Sequence, residues 1–302
     1  MSEEGVRIPL NFTDIPCHKL FASKPPESIF HYTDFNGMSG IVESKSLWLT
    51  KLSYLNDKSE LKYAIDRFKF TAEIRASKIN NSEKKEFLES TSKNLNNLEN
   101  TNICVASFCE DGDLLSQWRS YGNDGSGVAI EFNANALNKL SNTGLMNLWK
   151  CVYSEQDQHL IVDGLVDILL NSFDVVYKSK EINENWEATK KDIQGYFNTT
   201  FLRVAPVIKN SHFREEKEWR LITVSRPFTD ENWYARVSNQ RVSEYYKLNF
   251  DLIDAANYYF IQGVTVGPTN EPWMKADAIG VLLRKNGFKH KHMHVSQIPY
   301  RS

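Results

Sequence analysis

A mixed α+β fold follows from three features of this 302-residue sequence. Strand-like runs occur in every third of the chain, and helical stretches separate them. The regular β-α alternation of a doubly wound parallel sheet is absent. Neither a GxGxxG after a strand nor a GxxxxGK[ST] occurs, so the common dinucleotide and P-loop fingerprints are missing.

Residues 1–27 read as a flexible lead ending at Lys24-Pro25-Pro26, where two prolines interrupt regular structure. Length alone suits about two domains. The pattern of elements instead reads as a single α+β domain over 28–302, with helical insertions at about 58–100 and 155–202. Residues 29–33 (IFHYT) form a short strand, and 34–44 a helix that Thr33 or Asp34 can cap. Gly37 and Gly40 weaken that helix but let its backbone come close to a ligand or a strand. Residues 47–50 return as a strand. In the first insertion Leu61, Ile65, Phe68 and Ala72 recur at helical spacing. Residues 103–108 (ICVASF) and 128–132 (VAIEF) are buried strands flanking a loop rich in Gly and Asp that holds Trp118 and Tyr121. Residues 150–154 make a short strand. The second insertion is marked by Ile161, Leu165, Ile168 and Leu169, then Trp186, Ile193 and Phe197. Strands at 219–224, 258–266 and 290–298, with a helix near 274–286, complete the chain.

Apolar residues at 41% and charged residues at 25% describe an ordinary globular chain rather than a disordered or fibrous one. The net charge of −2 rules out a global basic field and leaves room for a local basic groove. Cys17, Cys104, Cys109 and Cys151 form neither a disulfide framework nor a CxxC pair, so the reducing cytoplasm is the expected compartment. The acidic start MSEEGVRIPL has no signal-peptide grading. The apolar stretch 160–176 is broken by Asp163, Asp167, Asn171 and Asp174, so no membrane span is expected. The sequon at Asn198 then carries little meaning.

Three segments hold candidate chemistry. In FREEKEWRLITV (213–224) period-two alternation sends Trp219, Leu221 and Thr223 into packing. Glu218 and Arg220 share the opposite face, joined by Glu216 if the strand extends back. Such a column suits a cleft wall, since unpaired buried charge is costly; a solvent-facing edge is the plainer alternative. His31-Tyr32-Thr33 lies where a strand enters a helix, a place that suits phosphate. There His31 can bond a ribose hydroxyl and Tyr32 offers an aromatic surface, or His31 is simply satisfied by a backbone carbonyl. Trp118 and Tyr121 either stack on a planar ring or plug their loop onto the core. Cys109 has no activating His near it in sequence. His290, His292 and His294 share a strand face but lack a completing ligand, so no metal is expected. Glu215 and Lys217 match the E-x-K half of a metal-dependent nuclease site, which needs a further acidic residue.

The segments IFHYTDFNGMSGIVESKSLWLTKLSYLND, SFCEDGDLLSQWRSYGNDGSGVAIEF, KCVYS, FREEKEWRLI, VTVGP and SQIPYRS, in that order, resemble a widespread bacterial family of unknown function. Its front and middle look like ADP-ribosyltransferases, in particular DNA-modifying toxins and abortive-infection relatives. That resemblance implies a split β-sheet core with helical insertions and NAD as substrate without a metal. It also implies a role as a toxin or phage-defence effector. The acceptor would be a macromolecule, protein or nucleic acid, with a neutralising or regulatory partner possible and no membrane. By the same likeness His31 holds the adenosine-side ribose, Glu218 is the catalytic carboxylate, and Glu216 orients or deprotonates the acceptor. Tyr54, Trp48 and Tyr121 compete for the aromatic that stacks on nicotinamide. Asn56, Asp57 and Glu60 are singled out with no assigned role. Cleavage of the nicotinamide–ribose bond passes through an oxocarbenium-like state, which a carboxylate stabilises more than the ground state. Glu218→Gln is therefore expected to abolish nicotinamide release and leave melting nearly unchanged. The alternatives are a metal-dependent nuclease using Glu215 and Lys217, or a non-catalytic nucleotide-binding module.

Overall fold

Strands and helical insertions sort into separate units in a computed structural model of the chain, which describes residues 18–54, 59–100, 102–122, 127–140, 146–178, 185–224, 230–238, 241–252 and 260–299. In chain order these hold α1 (His18–Phe21), β1 (Ser28–Thr33), α2 (Phe35–Ser44), β2 (Ser46–Lys51), α3 (Ser59–Ala76), α4 (Ser82–Asn94), β3 (Ile103–Phe108), α5 (Leu115–Tyr121), β4 (Val128–Asn133) and α6 (Ala134–Lys139). There follow β5 (Asn147–Lys150), α7 (Glu155–Tyr177), α8 (Trp186–Val204), β6 (Trp219–Val224), β7 (Trp233–Ser238), β8 (Arg241–Asn249), β9 (Ile261–Val266), α9 (Pro272–Lys285) and β10 (His292–Val295). The fold is mixed α+β with two sheets.

The two insertions gather into one compact unit made of Met1–Ser23, Asn56–Thr101 and Val152–Ser211. Their helices are amphipathic, and each buries its apolar stripe on the others. Leu61, Ile65, Phe68 and Ala72 are all buried, and the Phe68 ring lies 5.2 Å from that of Phe197. Phe173 joins Phe87 at 5.1 Å and Trp186 at 5.5 Å. The aspartates that break the apolar run of α7 face outward to cations: Asp163 and Asp167 meet Arg75, and Asp174 meets Lys84. No helix among the described residues is long and apolar enough to cross a membrane. Inside this unit Gln158 is fully buried and donates to the carbonyls of Val152 (2.7 Å) and Lys209 (2.6 Å). Its Oε1 accepts from Tyr63 at 3.1 Å, so every part of the amide is engaged.

The other unit is made of Lys24–Leu55, Asn102–Cys151 and His212–Ser302. One sheet runs β1-β4-β9-β10, with only the β9–β10 pair parallel; the other runs β5-β6-β3-β2-β8-β7 and is antiparallel throughout. Ile29, Ile130, Phe132 and Val264 from the first sheet share a core with Leu49, Phe108, Trp219 and Leu248 from the second. Phe108 and Phe132 meet edge to face at 5.9 Å. Met38 and Val42 of α2, with Ile279 and Leu283 of α9, complete that core.

Several elements depart from the sequence reading. The stretch holding Trp118 and Tyr121 is not a loop throughout, because Leu115–Tyr121 forms a short helix whose inner face buries Gln117 and Trp118. The strand expected at 150–154 lies at Asn147–Lys150; Ser154 instead accepts from Asp157 N and caps α7. The strands expected at 258–266 and 290–298 are ordered over Ile261–Val266 and His292–Val295, residues 258 and 259 lying outside the described residues. The β7–β8 hairpin has no counterpart in the sequence reading. Of the two possible caps for α2, Asp34 serves, accepting from Gly37 N at 2.6 Å.

Candidate functional site

The sheets meet where β1 touches β3. Phe30 and Cys109 exchange two backbone hydrogen bonds of 2.8 Å, an isolated antiparallel bridge. One residue further along β1, His31 Nδ1 lies 2.9 Å from the carbonyl oxygen of Ser107. A carbonyl only accepts, so Nδ1 carries the proton and Nε2 is the acceptor-bearing nitrogen. The His31 pKa falls below its ordinary 6.5, chiefly because burial disfavours the cation; the Ser107 bond opposes this and Arg236 adds to it. The stability consequence has a definite sign. A base whose folded pKa is depressed binds fewer protons than the unfolded chain, so stability is full above pH 6.5 and drains as pH falls towards the folded value. Denaturant melts between about pH 8 and 5 should show that acid limb, and His31→Gln should flatten it; an identical limb in the variant would rule His31 out as its source.

The neighbours of His31 are differently employed. Tyr32 is buried, its hydroxyl donating to the Asp111 carbonyl and accepting from Leu114 N, both at 2.9 Å. Burial pushes its pKa far upward. Its ring meets that of Trp118 edge-on at 4.7 Å. Trp118 is itself wholly enclosed and donates from Nε1 to Asp113 Oδ1 at 2.8 Å. Asp113 also accepts from Ser296 and Gln297. For Trp118 this is the plugging alternative. Thr33 sits over the first turn of α2, where a Cβ on Gly37 would come within 2.0 Å of its hydroxyl. Tyr121 is on α5 and 43% exposed.

Glu218 and Arg220 share one face of the β6 segment, but not as the wall of an open cleft. Both are 3% exposed and pair with each other, Nε to Oε1 at 2.7 Å and Nη2 to Oε2 at 3.1 Å. Bidentate pairing offsets the desolvation that made the column look unsuitable for burial. The Cys151 thiol is 3.7 Å from Oε2, and Cys151 N donates to the Glu218 carbonyl at 2.8 Å. Glu216 does not lie on the strand with them. Ser211–Glu216 is a 3-10 helix, and Lys217 at φ 41 turns the chain before the strand begins. Glu215 and Lys217 are exposed on that turn rather than set on a strand face.

Arg220 is the cross-strand partner of Ser107, whose carbonyl holds His31. The histidine and the carboxylate pair therefore lie on strands separated only by β3, about 10 Å at ordinary strand spacing, but on opposite faces. His31 pairs with Ile130 and sets its ring 5.8 Å from that of Phe108, on the Trp219 side of the sheet, whereas Glu218 and Arg220 point to the other side. Sequence reasoning missed Glu110, which accepts from Trp219 Nε1 (2.9 Å) and Lys150 (2.6 Å). Burial would raise its pKa, yet those hydrogen bonds hold it below the usual range.

Among the competing aromatics, Tyr54 donates its hydroxyl to Glu244, which also takes Lys51 and Trp233 Nε1. These contacts outweigh burial and keep the Glu244 pKa low. Trp48 lies on the other face of β2, its ring 4.9 Å from Tyr245 and 5.6 Å from the Arg236 guanidinium. Of the family-marked positions, Asn56 and Asp57 lie outside the described residues. Glu60 opens α3, buried, with Lys209 Nζ at 3.6 Å. On the first sheet His292 hydrogen-bonds the buried Glu131 across Gly263, where a Cβ would stand 2.5 Å from the imidazole. The His294 ring lies 4.7 Å from that of His292, tilted at 40°, and burial lowers the pKa of His290. Among the described residues no group of three or more His, Cys, Asp or Glu is placed to hold a metal.

Residues 117–221, from α5 into β6, match the model of a family described as a protein of unknown function (DUF2971). No curated protein and no solved structure matches the chain. The similarity covers Trp118, Glu218 and Arg220 and stops short of His31 on the N-terminal side.

Proposed function

We propose that the chain binds NAD and breaks its nicotinamide–ribose bond, passing ADP-ribose to an acceptor or to water. The observation that carries this reading is the meeting of β1, β3 and β6 at the Phe30–Cys109 bridge, which brings His31 to one side of β3 and the Glu218–Arg220 pair to the other, their side chains on opposite faces of the sheet. The ADP-ribosyltransferase resemblance leads one to expect both side chains on one pocket, which these opposite faces do not supply. His31 Nε2, left as an acceptor, suits a ribose hydroxyl. The capped start of α2 follows two residues after Tyr32 and supplies backbone N–H groups toward phosphate.

In the reaction the C1′–N bond breaks and its electron pair leaves with nicotinamide. A water or acceptor oxygen then bonds C1′ and releases its proton. Glu218 is already fixed by Arg220, so it needs little reorganisation as positive charge develops on the ribose. The test is nicotinamide release from NAD labelled in that ring. Release by the native chain, falling at least tenfold in His31→Ala with its fold retained, is the expected result. Absence of both binding and release defeats the reading. The slight exposure of Glu218 favours one second reading, a fold that binds the dinucleotide without turnover; calorimetric binding with no release decides for it.

A further inference from the structure

The gap where the sheets part holds a cation beside it that no carboxylate claims. β2 pairs with β3 only at Thr50 and Lys51, opposite Val105 and Cys104, and by Cys109 the partner is β1. His31 takes the Ser107 carbonyl between those two points. At the β2 margin of this gap Arg236 of β7 reaches across β8. Its Nη2 donates to Thr50 Oγ1 at 3.2 Å and its Nε to Ser243 Oγ at 3.3 Å. The guanidinium lies 5.6 Å from the Trp48 ring and 5.9 Å from that of Tyr245. Neither ring is an open surface: Tyr245 is 8% exposed, and a Cβ on Gly40 of α2 would stand 3.0 Å from Trp48. The two rings hold the guanidinium rather than receive a stacked ligand.

Hydroxyls and rings orient a cation but do not neutralise it. Among the described residues no carboxylate pairs with Arg236 directly. Asp34 bears on it from further away, and Asp34 Oδ1 already accepts from Gly37 N. A part-buried cation held in this way is costly until an anion completes it. Two of the five guanidinium N–H groups are engaged, which leaves three. Thr50 and Ser243 both accept from the guanidinium, so each hydroxyl keeps its own proton to donate. Every one of these open positions is a donor, and their number suits the several oxygens of a phosphate better than the two of a carboxylate. We propose that Arg236, with Thr50 and Ser243, anchors a phosphate group at the β2 margin of the gap, beside the first turn of α2. The planar fork takes two phosphate oxygens at once. Arg236 also bears electrostatically on His31, which puts the anion and the imidazole in one neighbourhood. Phosphate from two sources fits: the pyrophosphate of the dinucleotide, which rests on the function proposed above, and a free phosphate anion, which does not.

Calorimetry on the full chain with pyrophosphate, ADP-ribose and adenosine tests it, because none of the three contains the bond that NAD would lose. ADP-ribose is expected to bind, and to bind at least about tenfold more weakly to Arg236→Gln, as the loss of a charge-assisted pair requires. Arg236→Lys keeps the charge without the fork and should fall between the two; it carries the same test should Arg236→Gln fail to fold. Lys247→Gln removes a cation from the same hairpin and should leave affinity unchanged. An equal loss there would be an effect of overall charge and overturns the proposal. So does the absence of binding by either phosphate probe, or equal affinity in the native chain and both Arg236 variants, whatever becomes of nicotinamide release. A matching loss for adenosine overturns it as well, since Arg236 would then serve something other than phosphate. Pyrophosphate binding that depends on Arg236, with neither ADP-ribose binding nor nicotinamide release, upholds the anion site and defeats the NAD reading.

Discussion

Glu218→Gln is expected to cost about 3–5 kcal/mol of folding stability as well as nicotinamide release, rather than leaving melting nearly unchanged. The substitution strips the negative partner from a guanidinium that is 3% exposed and held at 2.7 and 3.1 Å. Breaking a buried ion pair is among the few single changes that reach this size. The loss of activity would then be ambiguous, since an unfolded enzyme is inactive too. The reciprocal exchange Glu218→Arg with Arg220→Glu separates the two effects. It returns one cation and one anion to the same strand face, so most of the lost stability should come back in denaturant melts. Nicotinamide release should not, because the carboxylate now stands two residues along the strand. Recovery of both would show that Glu218 acts only through the pair, and the catalytic role would have to be abandoned.

What the sequence disclosed and what it withheld divide along the range of the interactions. Local periodicity was enough to find the stripe of α3, where Leu61, Ile65, Phe68 and Ala72 all turn inward. It also placed Glu218 and Arg220 on one face with Trp219 and Leu221 on the other. Whether that charged face was open or closed was not a local property. A pair at i and i+2 looks the same in sequence whether water or protein covers it. The retreat of Glu216 from the strand depends on a single backbone angle at Lys217, and nothing in Glu-Lys-Glu marks it. The β7–β8 hairpin escaped for another reason. Its strands carry aromatic and charged residues on both faces, so a search for apolar runs passes over it. The signal that would have found it is the recurrence at two-residue steps of Tyr234 and Arg236, then Ser243, Tyr245 and Lys247. His31 shows the reverse case. The plainer alternative, a histidine satisfied by a backbone carbonyl, is the geometry observed, yet that same bond sets the tautomer which leaves Nε2 able to accept.

The same distinction between packing and recognition makes Trp118 worth substituting twice. Its ring is entirely enclosed, edge-on to Tyr32, with Nε1 donating to Asp113. Trp118→Ala should therefore cost about 3–5 kcal/mol, the loss of a large buried side chain together with the cavity left behind. Trp118→Phe keeps most of the volume and removes the indole donor, and should cost about 1–3 kcal/mol. The milder figure is reasonable because Asp113 retains Ser296 and Gln297 as partners. Denaturant melts of the two variants give these values directly. A ring that stacked on nicotinamide would behave otherwise: Trp118→Phe would leave the melts in place and weaken dinucleotide binding. Stability that drops while calorimetric affinity per folded molecule stays constant keeps Trp118 in the core. The opposite pattern would return it to the binding site and require the loop between β3 and β4 to open when ligand enters.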